Sequence, residues 1–126
     1  MTYSYVPGTC NLGKDEIRRR QVVALIGAVL TIISFSGLVV ADTANSARWS
    51  LFAPLMIFSV GFIQSRKKFC LAYGFMGTFN LGKLGDISRV QSAEDRKADR
   101  KTALTILIQS ALLAFALAAL FVLLPL

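Results

Sequence analysis

The chain contains no histidine, and only two of its 126 residues are cysteine. Histidine is the commonest side-chain ligand of metal ions and the commonest general base. Two cysteines, Cys10 and Cys70, are too few for a disulfide framework or for a metal site with three or four protein ligands. We therefore expect no metal, no cofactor and no catalytic residue, and predict that the protein is not an enzyme.

Acidic residues are also scarce, with seven Asp and Glu against 14 Lys and Arg. None of these charges lies inside the long apolar runs of the sequence. A proton relay or an ion pathway through a membrane normally needs ionisable groups at depth, which argues against a transporter or pump acting alone. A homo-oligomeric channel or carrier remains an alternative.

What the chain has in abundance is apolar sequence: 55% of its residues are hydrophobic and its mean hydropathy is +0.60. Three apolar runs, at about 22–41, 49–65 and 103–124, are long enough for transmembrane helices or nearly so. A signal peptide is the alternative for the first run, but the run is longer than a usual signal core and no clear cleavage site follows it. We predict an all-α integral membrane protein with one three-span domain, residues 1–126.

Two shorter segments complete this architecture. Residues 69–79 are too few to cross a bilayer and are rich in aromatics and glycine, which favours an interfacial or re-entrant segment. A single helix through 49–76 is the alternative, but it would bury the charges of residues 66–68 in the membrane. The pattern of Ser92 followed by Asp95 predicts a helix cap. A charged cytoplasmic extension, residues 92–102, would then run into the third span.

The basic residues predict the orientation. Thirteen of the 14 Lys and Arg lie in residues 1–21 and 65–102, and only Arg48 lies in the 42–48 loop. Because cytoplasmic loops carry the excess of positive charge, this places the N-terminus inside and the C-terminus outside. We expect a multi-pass protein of the inner (cytoplasmic) membrane. The net charge of +7 then reflects topology and contact with membrane lipids, and no nucleic-acid partner is expected.

The sequence GTCNLGK, residues 8–14, returns as GTFNLGK at residues 77–83. The similarity continues from EIRRRQ, residues 16–21, to DISRVQ, residues 86–91. One interpretation is a duplication, or two matching elements that form one cytoplasmic surface; the other is ordinary turn chemistry of Asn and Gly. The candidate interface residues are Asn11, Gly13, Arg18, Arg19, Asn80, Gly82 and Arg89.

Two further groups of residues are candidates for chemistry or packing. Cys10 and Cys70 are both expected at the cytoplasmic membrane edge, where basic neighbours favour a reactive thiolate. Two reduced, inert thiols are the alternative, since disulfides are rare in the cytosol. Small and polar residues inside the spans permit close helix approach and interhelical hydrogen bonds. The packing candidates are Gly27, Gly37, Gln109 and Ser110.

The arrangement CNLGKDEIRRR, an apolar span, and a second span ending GFIQSRKKFCLAYGFMG resembles the YgaP-like family of small bacterial inner-membrane domains. The resemblance covers about residues 9–77. It implies the topology of the first two spans, and it implies a sulfur-related role because Cys70 corresponds to the exit cysteine of that family. The family often accompanies a sulfurtransferase domain, which this sequence does not contain. The third span and residues 80–102 depart from the family pattern.

These observations lead to two functional predictions. The first is a non-enzymatic accessory or structural subunit of a larger membrane protein complex, or a homo-oligomer. The second is a thiol-based sulfur or redox protein that uses Cys10 and Cys70.

Overall fold

The computed structural model describes residues 5–82, 85 and 87–125. Four α-helices occur in the order α1 (Lys14–Val40), α2 (Phe52–Lys67), α3 (Leu71–Met76) and α4 (Ala93–Leu123). A 3₁₀-helix (Asn45–Leu51) leads directly into α2, and two short strands, β1 (Thr78–Phe79) and β2 (Ser88–Arg89), connect α3 to α4. Helices α1 and α4, and the 3₁₀-helix together with α2, are each long and apolar enough to cross a membrane. They indicate a multi-pass membrane protein.

The first helix begins at Lys14, well before the apolar run at residue 22. Its first turn contains Asp15 and Glu16, whose negative charge suits the positive end of a helix. Arg20 lies one turn further on, with its Nη2 atom 3.2 Å from a carboxylate oxygen of Glu16. The charged residues that precede the span are therefore part of the same helix.

The helical segment that contains the second apolar run is also longer than the run itself. The loop predicted at residues 42–48 turns helical at Asn45, so the helical segment long and apolar enough to cross is Asn45–Lys67, 23 residues long. Pro54 is the third residue of α2. It therefore lies close to the junction at which the 3₁₀-helix passes into α2.

The predicted helix cap at Ser92, before the third span, is confirmed. The Ser92 hydroxyl accepts a hydrogen bond from the Asp95 backbone N–H at 3.4 Å, and α4 then continues without interruption to Leu123. The charged extension and the apolar run thus form one helix of 31 residues.

The prediction of an entirely α-helical fold was wrong in one place. Strands β1 and β2 pair antiparallel, with Thr78 opposite Arg89 and Phe79 opposite Ser88. The cause is Gly77, which ends α3 in a left-handed conformation with φ of 70°. Its carbonyl accepts the Val90 N–H at 2.8 Å, so the predicted 69–79 segment divides into a short helix and a strand.

The spans pack with α2 against both α1 and α4. Backbones approach closely at two glycines: a Cβ on Gly27 would lie 2.3 Å from the Phe58 nitrogen, and one on Gly61 would lie 2.7 Å from the Ala24 nitrogen. Between α2 and α4, small side chains on α4 meet leucines, in a cluster that comprises Leu51, Leu55, Ala114 and Ala118. The interior of the protein is therefore narrow and is built on small residues.

Arg48, the one basic residue of the predicted 42–48 loop, is buried at the C-terminus of α4. Its Nη1 atom donates hydrogen bonds of 2.9 Å to the carbonyls of Phe121 and Leu124, and its guanidinium lies 5.1 Å from the Phe35 ring centre. A cation at this position satisfies terminal carbonyls and opposes the negative end of the helix dipole.

Replacing Arg48 with methionine keeps an unbranched side chain but removes these hydrogen bonds. We expect it to lower the free energy of unfolding by about 1–2 kcal/mol and to loosen the last turn of α4. Trp49, the single tryptophan, stacks on Phe115 of α4, so its fluorescence during an SDS titration reports the change. The exposed Arg100→Met variant is the control, and equal midpoints for the two variants would contradict the capping role.

Candidate functional site at the repeat-bearing end

The two copies of the repeated sequence lie against each other. Leu12 and Asn80 form a parallel β-bridge, in which the Asn80 N–H donates to the Asn11 carbonyl at 3.0 Å. The Gly13 N–H donates in turn to the Asn80 carbonyl at 2.7 Å. Asn11 and Asn80, which occupy the same place in the two copies, are both fully buried. We call this paired element the repeat bridge, and the end of the helix bundle that carries it the repeat-bearing end.

The two copies of the repeat approach each other so closely that only glycine fits at Gly13. A Cβ at Gly13 would lie 2.3 Å from the Leu81 carbonyl oxygen and 2.6 Å from its carbon. These atoms belong to the backbone of the second copy and cannot rotate away. The glycine of the first copy therefore sets the distance between the copies.

Asn11 also connects the repeat bridge to the end of α2. Its side-chain oxygen accepts the Cys70 N–H at 2.7 Å, and its side-chain nitrogen donates to the Cys70 carbonyl at 3.3 Å. Its own N–H donates to the carbonyl of Lys68, which ends α2 in a left-handed conformation. One buried amide thus holds the chain where it turns from α2 into α3.

The thiol of Cys70, the residue whose backbone groups Asn11 binds, lies in a group of ionisable side chains from α1 and α3. The Arg20 Nη2 atom lies 3.0 Å from the Cys70 sulfur and 3.2 Å from a carboxylate oxygen of Glu16. Glu16 is fully buried and Cys70 is 2% exposed. Arg20 also lies 5.9 Å from the Tyr73 ring centre. Burial raises the pKa of Tyr73, and the Glu16 carboxylate raises it further.

A second buried carboxylate attaches the N-terminal segment to α4. Asp99 is fully buried and accepts the Tyr5 hydroxyl and the Gly8 N–H, each at 2.6 Å. Thr102, one turn further along α4, donates to the Gly8 carbonyl at 2.6 Å. Burial raises the pKa of the Tyr5 phenol, and the hydrogen bond to Asp99 raises it further, so Tyr5 stays protonated as a donor.

The predicted interface residues divide into two groups. Asn11, Gly13 and Asn80 are buried within the repeat bridge, where the Asn80 side chain accepts the Gly82 N–H at 3.0 Å. The exposed ones are Arg18, Arg19, Gly82 and Arg89. Lys83 and Asp86, which complete the sequence repeat, lie outside the described residues.

The packing candidates also fall in different surroundings. Gly27 lies against the backbone of α2, whereas Gly37 is exposed and, among the described residues, no atom beyond the neighbouring backbone of α1 lies within 4 Å of its Cβ position. Ser110 is buried, but its hydroxyl has no hydrogen-bond partner within the described part of the chain, so it packs by its small size and not as the expected interhelical bond. Gln109, the next residue, is exposed on α4.

The thiol candidates are not equivalent. Cys10 is partly exposed and its sulfur lies 3.6 Å from the Leu12 carbonyl oxygen, whereas Cys70 is buried. Both are free cysteines. In the described ranges, no group of three or more His, Cys, Asp and Glu residues could hold a metal ion.

The residues that sequence reasoning missed are those that cross-link distant segments: Tyr5, Glu16, Arg20, Arg48, Tyr73 and Asp99. The four-residue spacing of Glu16 and Arg20 was a local signal that could have identified that pair. No local signal connects Asp99 to Tyr5, which lies 94 residues away in the sequence.

A comparison of the chain with protein-family models found no match, and comparisons with curated proteins and with solved structures found none either.

Proposed function

We propose that the protein is a non-enzymatic accessory or structural subunit of a larger protein complex in the cytoplasmic membrane. In this proposal the repeat-bearing end faces the cytoplasm and the Arg48 end faces outward, as the distribution of basic residues favours. The resemblance to YgaP-like domains implies the same course for the first two spans and stays a prediction.

The observation that carries the proposal is the use of the buried ionisable groups. Glu16 pairs with Arg20, Asp99 holds Tyr5 and Gly8, and Arg48 binds the end of α4. The Glu16–Arg20 pair lies within α1 and reaches α3 through the contact of Arg20 with Cys70, and the other contacts join one segment of the chain to another. Such groups stabilise a small scaffold, and their contacts are not directed into a substrate cavity.

The outer surface of the spans supports a lateral partner. In the most apolar segment of each spanning helix, only 17, 28 and 22% of the residues are buried within the protein. The rest present large apolar side chains, Leu25 and Ile33 of α1 among them. This surface faces lipid or another membrane protein.

The test is isolation of the tagged protein from its native membranes in mild detergent. We expect a stoichiometric membrane partner to co-purify and to dissociate in SDS. Replacing exposed Gly37 with leucine should weaken that association if α1 is the contact face, while the Leu107→Ala control on α4 should not. Migration as a free monomer, with no partner at any detergent-to-protein ratio, would contradict the proposal.

A thiol-based function is the second candidate, because Arg20 lies 3.0 Å from the Cys70 sulfur. A positive charge beside a thiol favours its reactive form. A redox or sulfur-transfer pair, however, also needs an accessible sulfur, and Cys70 is 2% exposed.

Maleimide labelling of membranes distinguishes these roles. We expect Cys10 to be labelled in the folded protein and Cys70 to react at least about tenfold more slowly, because a buried thiol reacts only after local opening. Labelling after SDS denaturation is the control for total thiol. Rapid labelling of Cys70 in native membranes, combined with loss of function in the Cys10→Ser/Cys70→Ser variant, would favour the thiol function instead.

A further inference from the structure

Gln109 is a polar side chain exposed on the outside of a spanning helix. It lies six residues beyond Ala103, where the apolar run of α4 begins, which places it about 9 Å along the helix from that boundary. A glutamine amide cannot reach water from that depth, and lipid tails offer it no hydrogen bond. No side-chain hydrogen bond of Gln109 occurs within the described part of the chain. Its donor and acceptor therefore call for a partner from outside the chain.

Gln109 belongs to a continuous exposed stripe on α4. The stripe members follow one another at spacings of three or four residues, which places them on one face of the helix. They are Thr105, Gln109, Leu112, Ala116, Leu120 and Leu123, all exposed. The face of α4 that packs inside the protein is a different one, and it carries Ile106, Ser110, Ala114 and Ala118.

The chemistry of the stripe favours a second copy of this chain. A carboxamide carries both a donor and an acceptor, so two glutamines can satisfy each other. Two copies inserted in the same direction lie parallel, and in a twofold contact equivalent residues meet at the same depth. Thr105 does not compete, because its hydroxyl already donates to the Lys101 carbonyl. Ala116, two turns from Gln109, is small enough to let the helices approach closely.

We infer that two copies of the protein associate in parallel through this stripe of α4, with the Gln109 amides hydrogen-bonded across the twofold axis. The inference deepens the proposed function and rests on it in one respect, that the lateral surface of the spans contacts protein. It identifies the protein that contacts α4 as a second copy of this chain.

Disulfide cross-linking in liposomes tests the stripe. Single cysteines are placed at Ala116, on the stripe, and at Leu104, exposed on another side of α4, in a Cys10→Ser/Cys70→Ala background that retains the wild-type Trp49 emission. Under mild oxidation we expect Ala116→Cys to form a covalent dimer and Leu104→Cys to stay monomeric. Equal yields at both positions would overturn the inference.

The role of the Gln109 amide is tested by measuring how strongly the copies associate. Energy transfer between labelled copies reports the association while added lipid dilutes the protein in the membrane. We expect Gln109→Leu to weaken association about three- to thirty-fold, as for other interhelical hydrogen bonds in membranes, and Ser110→Ala to leave it unchanged. An unchanged association in Gln109→Leu would overturn the inference. If a different protein co-purifies but Ala116→Cys does not cross-link, the inference fails and the proposed function stands. If Ala116→Cys cross-links but no different protein co-purifies, the inference stands and the proposed function fails.

Discussion

Replacing Asn11 with alanine is expected to lower the free energy of unfolding by about 2–4 kcal/mol, one of the two largest effects of a single side chain in this protein. Asn11 is fully buried, and its amide makes two hydrogen bonds to the backbone of Cys70. The Cys70 carbonyl keeps a second donor in the Gly74 N–H, but the Cys70 N–H loses its acceptor. A buried N–H without an acceptor costs more than the lost bond alone.

The unfolding of the Asn11→Ala variant can be followed by SDS titration from mild detergent, with Trp49 fluorescence as the signal. The exposed amide Gln91 provides the matched control, and Gln91→Ala should shift the midpoint by less than about 0.5 kcal/mol in free energy. If the two variants unfold at the same SDS concentration, the Asn11 amide does not hold the α2–α3 turn.

Gly27→Ala is the second large effect, with an expected loss of about 3 kcal/mol. The added Cβ would lie 2.3 Å from the Phe58 nitrogen and 2.7 Å from its Cα atom. Because both are backbone atoms, the contact is relieved only when α1 and α2 move apart. Such a movement also weakens the neighbouring contact at Gly61.

Gly37→Ala is the matched control, since it is the same substitution in the same helix. In the described part of the chain, no atom beyond the neighbouring backbone of α1 lies within 4 Å of the Gly37 Cβ position, so the free energy of unfolding should fall by less than about 0.5 kcal/mol. The two variants are compared by SDS titration of the purified proteins. Equal destabilisation would contradict the α1–α2 contact as the source of the cost, because alanine has the higher helix propensity at both positions.

The apolar runs and the charge clusters correctly predicted three helices long and apolar enough to cross a membrane, because length and hydropathy are local properties of the sequence. The Ser92 cap was predictable for the same reason. The helical segments of the first two spans begin earlier than predicted, at Lys14 and, through the 3₁₀-helix, at Asn45, because hydropathy identifies the membrane segment and not the helix. The strand pair depends on Gly77 and on a carbonyl contact to Val90, thirteen residues away.

The sequence did not distinguish Gly27 from Gly37, because each lies among small and apolar residues of one span. Their difference arises from the position of α2, which crosses α1 at Gly27. Asp99 was predicted only as a member of the charged extension, residues 92–102, yet it is buried under the N-terminal segment. Such contacts between distant parts of the chain are set by tertiary packing and leave no local pattern.

The repeated sequence was open to two interpretations, a matched pair of elements or ordinary turn chemistry. The structure brings the two copies together as the repeat bridge, in which equivalent asparagines have different tasks: Asn11 binds Cys70, whereas Asn80 binds Gly82 of its own copy. Cys10 and Phe79 occupy equivalent places, so the repeat does not depend on a thiol. Its shared residues have an architectural role in the described structure.

The pairing of the two copies is tested most directly by the labelling rate of Cys70 in a Gly13→Ala variant. The Cys10→Ser background leaves Cys70 as the single thiol, and the new Cβ, 2.3 Å from the Leu81 oxygen, would force the copies apart without removing any side-chain hydrogen bond. Lys14→Ala, next in the chain and exposed, is the control. If the repeat bridge covers Cys70, its maleimide labelling in native membranes will rise at least about tenfold in Gly13→Ala and stay unchanged in Lys14→Ala. Equal, slow labelling of Cys70 in both variants would contradict the repeat bridge as the element that closes this end of the protein.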